Sequence, residues 1–136
     1  MNTLFDTHSV GLFFVFLATG IALWAAFNWT YLQVTPYDEA VDIRAGKLAP
    51  AIALVGAEIG FILPLAAASF VSGGGHVGWL HFVKWGLIAG VVQIALFKAM
   101  YWRWGSVIEG NNCAGALVFA GASFCAGILN AVSMIP

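Results

Sequence analysis

Few side chains in this sequence can do chemistry, and two of the charged ones stand where charge is costly. Glu58 lies between Gly56 and Gly60 in the run LVGAEIGFILPLAA (54–67), and Lys84 lies in WLHFVKWGLIAG (79–90), both otherwise apolar. A charged group in hydrocarbon costs about 2.5 to 3.5 kcal/mol on insertion scales, so it must face protein or water. The cost is offset either by protonation with a hydrogen bond or by use as a proton or ion path. At 1.5 Å per helical residue, Glu58 sits about 13 Å from the nearer membrane face, level with Ser123 and close to Gln93. Lys84 sits about 10 Å in from the opposite face, level with Asn130 and Pro64. The expectation is two stacked polar layers, Glu58 with Gln93 and Ser123, and Lys84 with Asn130.

The backbone around Glu58 is equally pointed. Gly56 and Gly60 form a GxxxG pair, the spacing at which two helix backbones approach closely. Pro64 has no N–H, so the Gly60 carbonyl loses its helical partner and a kink is expected. Ala116, Ala120, Gly121 and Gly127 give the last apolar run the same small-residue character. His8, His76 and His81, with Asp6, fall toward one face, but their spacing matches no compact ligand motif, so no metal and no cofactor is expected. No nucleophile with an attendant base, Walker loop or dinucleotide fingerprint occurs, and the chain reads as a non-enzyme.

These residues need elements to hold them. The chain is 62% hydrophobic and 8% charged, with a mean hydropathy of +0.94, which places it in a bilayer. Four apolar runs, Val10 to about Tyr31, Leu48 to Val71, about Trp79 to Met100 and Cys113 to Met134, each reach the roughly 20 residues a transmembrane helix needs. They are continuous and rich in Ala, Leu and Gly, unlike the alternating segments of a β-barrel. The first run is too long for a signal peptide and is read as a retained helix. A net charge of −1 gives no nucleic-acid signal.

Arg44, Lys47, Lys98 and Arg103 flank the first and third connections, against Lys84 alone near the second. The positive-inside rule then puts those connections in the cytoplasm and both termini on the periplasmic side. Trp29, Trp102 and Trp104 mark the cytoplasmic interface, and Trp79 the other. Cys113 and Cys125 are about 18 Å apart along one helix, too far to bridge, and read as small buried hydrophobes.

Shifted by 65 residues, IRAGKLAPAIALVGA from Ile43 pairs with IEGNNCAGALVFAGA from Ile108, aligning Gly56 with Gly121. Each unit holds two spans, so the copies form a parallel repeat, about 9–72 and 77–136, within one four-helix domain over 1–136. Thr35-Pro36-Tyr37-Asp38 reads as N-cap, N1 proline and N3 acid. Ser106 with Glu109 reads as a second capping box, so a short helical turn is expected before each even-numbered span. Gly46 ends the first turn, and Gly110 or Asn111 the second. Asp38, Glu39 and Asp42 beside Arg44 and Lys47 read as a solvated, self-compensating face, with a partner or a cation as the alternative.

The turn TPYDE, the run IRAGKLAPAIALVGAEIGFILPLAAA and the closing VIEGNNCAGALVFAGASFCAGILNAVSM resemble the YjfL-type family of small bacterial inner-membrane proteins, a domain-of-unknown-function family. The resemblance runs over nearly the whole chain and implies a four-span plasma-membrane protein, without supplying a reaction. Two positions depart from the family pattern: Lys47 stands where asparagine is usual, and Glu58 where a small or polar residue is. The sequence thus predicts an all-α integral membrane protein of two helical hairpins, with the lipid bilayer and copies of itself or other membrane subunits as partners. Its expected role is an oligomeric subunit with an intramembrane polar path for protons or small cations, the alternative being an accessory or scaffolding subunit of a larger membrane complex.

Overall fold

The computed structural model describes residues 7–135. All regular structure among them is helical: α1 (Thr7–Val34), α2 (Glu39–Arg44), α3 (Leu48–Val71), α4 (Gly75–Glu109) and α5 (Cys113–Val132). Four of the five, all but α2, are long and apolar enough to cross a membrane.

The two turns at the end carrying Arg44, Lys47 and Arg103 are built differently. Pro36 has no N–H and biases Thr35 away from helical backbone, so α1 stops at Val34. Thr35 folds its hydroxyl back onto the carbonyls of Tyr31 and Leu32 and so does not cap α2. The cap of α2 is Asp38, whose Oδ1 accepts from Val41 N at 3.2 Å. Gly46, at φ +83°, then turns the chain into α3.

The third connection lacks a proline, and α4 runs unbroken through Ser106 to Glu109. The second short helix expected there is fused to the span. Gly105 is tolerated inside it because the Tyr101 ring lies where a β-carbon would be. Asn111 takes the left-handed turn at φ 57°, and Asn112 caps α5 by accepting from Gly115 N at 3.1 Å. Arg44 and Glu109, Gly46 and Asn111, and Leu48 and Cys113 are matching boundaries, each pair 65 positions apart.

The bundle is built on α3 against α5. A β-carbon at Gly56 would overlap Ala120, and one at Gly127 would overlap the carbonyl of Gly60. Contacts ascending both helices together mean that α3 and α5 run in the same direction, with their backbones touching at small residues. The Gly60 carbonyl, deprived of its helical donor by Pro64, lies against Gly127, where a side chain would overlap it. Gly121 instead points away from this seam, with no atom within 4 Å of its β-position.

Helix α1 is attached mainly by aromatic contacts. Phe16 stacks on Phe82 at 5.4 Å, Phe27 on Phe61 at 4.3 Å, and Trp79 Nε1 donates to Thr19 Oγ1 at 2.8 Å. Tyr31 is fully buried beside Phe97, Phe119 and Ile108 in the core at the basic end. Both cysteines are free and exposed, not buried. Cys113 opens α5 at its outer end, and Cys125 lies about 200° around the helix from Ser123 and Gly127, which face the bundle.

Candidate functional site: a buried acid at the basic end

The break at Pro36 turns the chain so that Glu39, the first residue of α2, is carried under the bundle. Its side chain is 1% exposed. Oε1 accepts from the hydroxyls of Tyr31 at 2.8 Å and Tyr37 at 3.0 Å, while Oε2 is buried without a partner. Burial pushes the Glu39 carboxyl up to about 7, against the lowering effect of the two tyrosine hydrogen bonds; Asp42 and Glu58 add smaller upward contributions. Burial, and next the charge of Glu39, also raise the Tyr37 hydroxyl, so it stays a donor throughout the physiological range. The result is a carboxyl poised to exchange a proton near neutral pH, with one oxygen already held in place.

Around it the rings continue. Tyr37 stacks on Tyr101 at 6.0 Å, Tyr101 on Phe97 at 5.9 Å, and the Tyr101 hydroxyl donates to Glu109 Oε1. Asn111 Oδ1 accepts from Ala49 N at 3.0 Å, supplying the cap that α3 lacks, since Lys47 makes no side-chain cap of its own. Lys47 pairs instead with Asp42 at 2.8 Å. The first and third connections are thus locked to each other around the buried acid.

The residues singled out from the sequence separate into three places. Gln93 and Ser123 do meet: Gln93 Nε2 donates to the Ser123 carbonyl at 3.1 Å, and Gln93 Oε1 is buried without a partner. Gly60 lies directly against both. Glu58 is not with them. It stands two residues from both Gly56 and Gly60, hence about 200° around α3 from the face they present to α5. Asn28 of α1 lies near it, its Nδ2 donating to the Trp24 carbonyl at 3.2 Å.

Lys84 and Asn130 are also apart. Lys84 is exposed, with Nζ 5.0 Å from the centre of the Trp85 ring, and Asn130 Nδ2 donates to the Ala89 carbonyl at 3.2 Å. Pro64 is fully buried. Among the described residues no three metal-ligating side chains come together; Asp6 lies outside them. His76 stacks on Trp79 at 5.9 Å.

The sequence puts Glu39 on a solvated face and Tyr37 in a turn and gives no role to Tyr31 or Asn28; the structure buries Glu39 instead. The available signal was Pro36: a helix broken there must fold α2 back, and an acid at its first position then faces inward. Four charges within seven residues, Asp38 to Arg44, with Lys47 close behind, masked it as a solvated face.

Comparison with known proteins gives a consistent frame. The family model described as Domain of Unknown Function (DUF350) matches residues 4–134. The UPF0719 inner membrane protein YjfL of Escherichia coli K12 is 26% identical over 125 residues, covering 90% of this chain and 92% of the relative. Its counterpart in Escherichia coli O157:H7 matches to the same extent. No solved structure matches.

Proposed function

The chain belongs to the family of Domain of Unknown Function DUF350, and from that premise we propose that it is an inner-membrane subunit, not an enzyme, that binds and passes protons through Glu39 and Glu58. The observation that carries this reading is the Glu39 carboxyl, buried with Oε1 held by two tyrosines and Oε2 unpartnered. A group poised near 7 loads and unloads protons at little cost on either side of neutrality.

Glu58 is the next acid along the same seam, close enough that its charge acts on Glu39. Asn28 and Tyr31, three residues apart on α1, share a helix face; Tyr31 donates to Glu39 and Asn28 lies near Glu58. The path therefore follows the α1–α3 seam and avoids the bundle interior, where Gln93, Ser123, Gly60 and Gly127 are packed without space between them. Lys84 and Asn130 stand off this route. The inner membrane fits the name of the YjfL relative. The basic residues at the Glu39 end favour a cytoplasmic position for it, with both termini on the periplasmic side. Assembly of several copies around α1 would shield the seam from lipid.

Proton flux into liposomes is the test. Wild type should exceed empty liposomes, Glu39→Gln and Glu58→Gln should each abolish the excess with assembly intact, and Gln93→Leu should leave it. Wild-type flux no greater than that of empty liposomes sinks the proposal.

One observation favours a second reading, an accessory subunit of a larger membrane complex. A groove of about 480 Å³ runs along α3 and α5, lined by Val55, Ile59, Leu117, Gly121 and Phe124, and suits another helix. Purification from native membranes in fixed ratio with an unlike chain, without flux, supports that reading over the first.

A further inference from the structure

A second groove, of about 360 Å³, lies between α1 and α4. Its floor is flat because Phe27 and Phe61 stack with their rings 5° from parallel. Its wall on α4 is low at Gly90, which has no side chain, whereas Leu23 of α1 lies over Gly86 and closes that end. A β-carbon at Gly90 would sit 3.4 Å from the Phe61 ring, which closes the floor beneath it. From Gly86 to Lys98 the groove follows twelve residues of α4, about 18 Å. One leaflet of a bilayer offers about 15 Å of hydrocarbon, half of the ~30 Å core.

The two ends differ. The Gly86 end is apolar, whereas the other end is lined by Thr30 and Lys98. Thr30 donates to the Ala26 carbonyl and is satisfied. Lys98 is exposed and, among the described residues, makes no ion pair, the single one being that of Lys47 with Asp42. Phe97, its neighbour in sequence, packs 4.4 Å from Tyr31, which sets Lys98 at the level of the basic end's core. Trp29 and Trp102, 67% and 93% exposed, stand on either side of that level as residues of the membrane–water interface do.

We propose that this groove binds one anionic phospholipid from the leaflet at the basic end, an acyl chain lying over Gly90 along Leu87, Val91 and Ala95 and the phosphate paired with Lys98. The apolar lane matches one chain in length, and the only charge lining it is a cation placed at headgroup depth. A zwitterionic lipid supplies the same chain but a headgroup whose own cation competes with Lys98. A transmembrane helix of a partner would cover the apolar lane but offer Lys98 no anion at headgroup depth. The bound lipid completes the packing of α1, the least buried of the spanning helices.

The experiment is native mass spectrometry of protein reconstituted with equal amounts of phosphatidylglycerol and phosphatidylcholine, then released in mild detergent. One phosphatidylglycerol per chain should be retained in preference to phosphatidylcholine. Lys98→Gln should lower that preference about fivefold, the weight of one cation near a membrane surface. Gly90→Leu, which fills the groove and keeps the charge, should abolish retention of both lipids; Val91→Trp, at an exposed lining position, serves if the first variant does not fold. Equal retention of the two lipids, retention unchanged by filling the groove, or a second copy of the chain retained in place of lipid overturns the proposal. None of these readouts depends on proton flux, so the lipid site and the proton path stand or fall separately.

Discussion

The first and third connections begin from nearly the same plan and reach opposite outcomes for their acids. Each links an odd-numbered span to α3 or α5, each ends in a left-handed residue, Gly46 or Asn111, and each presents a glutamate to a tyrosine hydroxyl. In the first, Pro36 breaks the helix, α2 folds under the bundle, and Glu39 is buried with an oxygen left over. In the third, Tyr101 occupies the matching position, α4 runs on to its end, and Glu109 stays exposed. The break at Pro36 goes with a carboxyl carried into the core, and the unbroken helix with one left at the surface.

The sharpest way to break this comparison is to remove each acid in turn. Glu39→Ala strands the Tyr31 hydroxyl in the core and should cost about 3 kcal/mol, the sum expected for orphaned buried partners and lost contacts. Glu109→Ala leaves its tyrosine to water and should stay within about 0.5 kcal/mol. Thermal unfolding in one detergent compares them, and equal costs would mean that burial does not distinguish the two sites.

pH sharpens the contrast further. The Glu39 carboxyl is raised from 4.5 to about 7, so the folded state holds the proton more tightly than the unfolded state does. Its stabilising contribution is complete below about pH 4.5 and is lost as pH rises through 7. Between pH 5 and pH 8 the fold should weaken by about 2 kcal/mol, and Glu39→Gln should remove that slope. A wild-type stability that rises over this range contradicts the assignment.

Much of this architecture was legible in the sequence. Four apolar runs gave four spanning helices, and α3 begins at Leu48 and ends at Val71 as read. In the structure Gly56 and Gly60 lie against Ala120 and Ser123 of α5; spacing of this kind is a local pattern, the sort a sequence displays directly. Whether Glu58 shares a face with Gln93 did not follow from depth, since depth fixes height along the bundle and not azimuth around the helix. The azimuth was available from periodicity: once Gly56 and Gly60 are committed to a partner, position 58 must point elsewhere. Glu39 was harder, because its burial depends on α1, α2 and α4 converging after the break, a tertiary event that charge composition argues against.

The two turn residues provide a finer comparison. Gly46 has only to adopt a left-handed backbone, with no atom near its β-position, whereas Asn111 adopts that backbone and also caps α3 through Ala49 N. Gly46→Asn should therefore be nearly neutral, since asparagine tolerates this conformation. Asn111→Gly keeps the backbone but loses the cap, and should cost about 1 kcal/mol. Faster amide exchange at Ala49 in the second variant alone is the expected signature, and equal exchange in both would remove the link between the connections.

The smallest effect is expected where the two tyrosine–glutamate pairs are most alike on paper. Tyr101 donates to Glu109 just as Tyr31 donates to Glu39, yet the first bond is made at an exposed carboxylate that water can serve equally well. Tyr101→Phe keeps the ring stacked between Tyr37 and Phe97 and removes only the hydroxyl, so it should change stability by less than about 0.5 kcal/mol. Tyr31→Phe removes a donor from a buried carboxyl that already has one oxygen unpartnered, and water does not reach the gap. Its cost should grow as pH rises and Glu39 ionises, because the lost bond favoured the charged form. Measuring both variants at pH 5 and pH 8 reads this out: a pH-dependent loss for Tyr31→Phe beside a small, pH-independent one for Tyr101→Phe is the expected result. A matching pH dependence in the two would mean that Glu39 is as well solvated as Glu109, and its role as the proton-exchanging group would have to be abandoned.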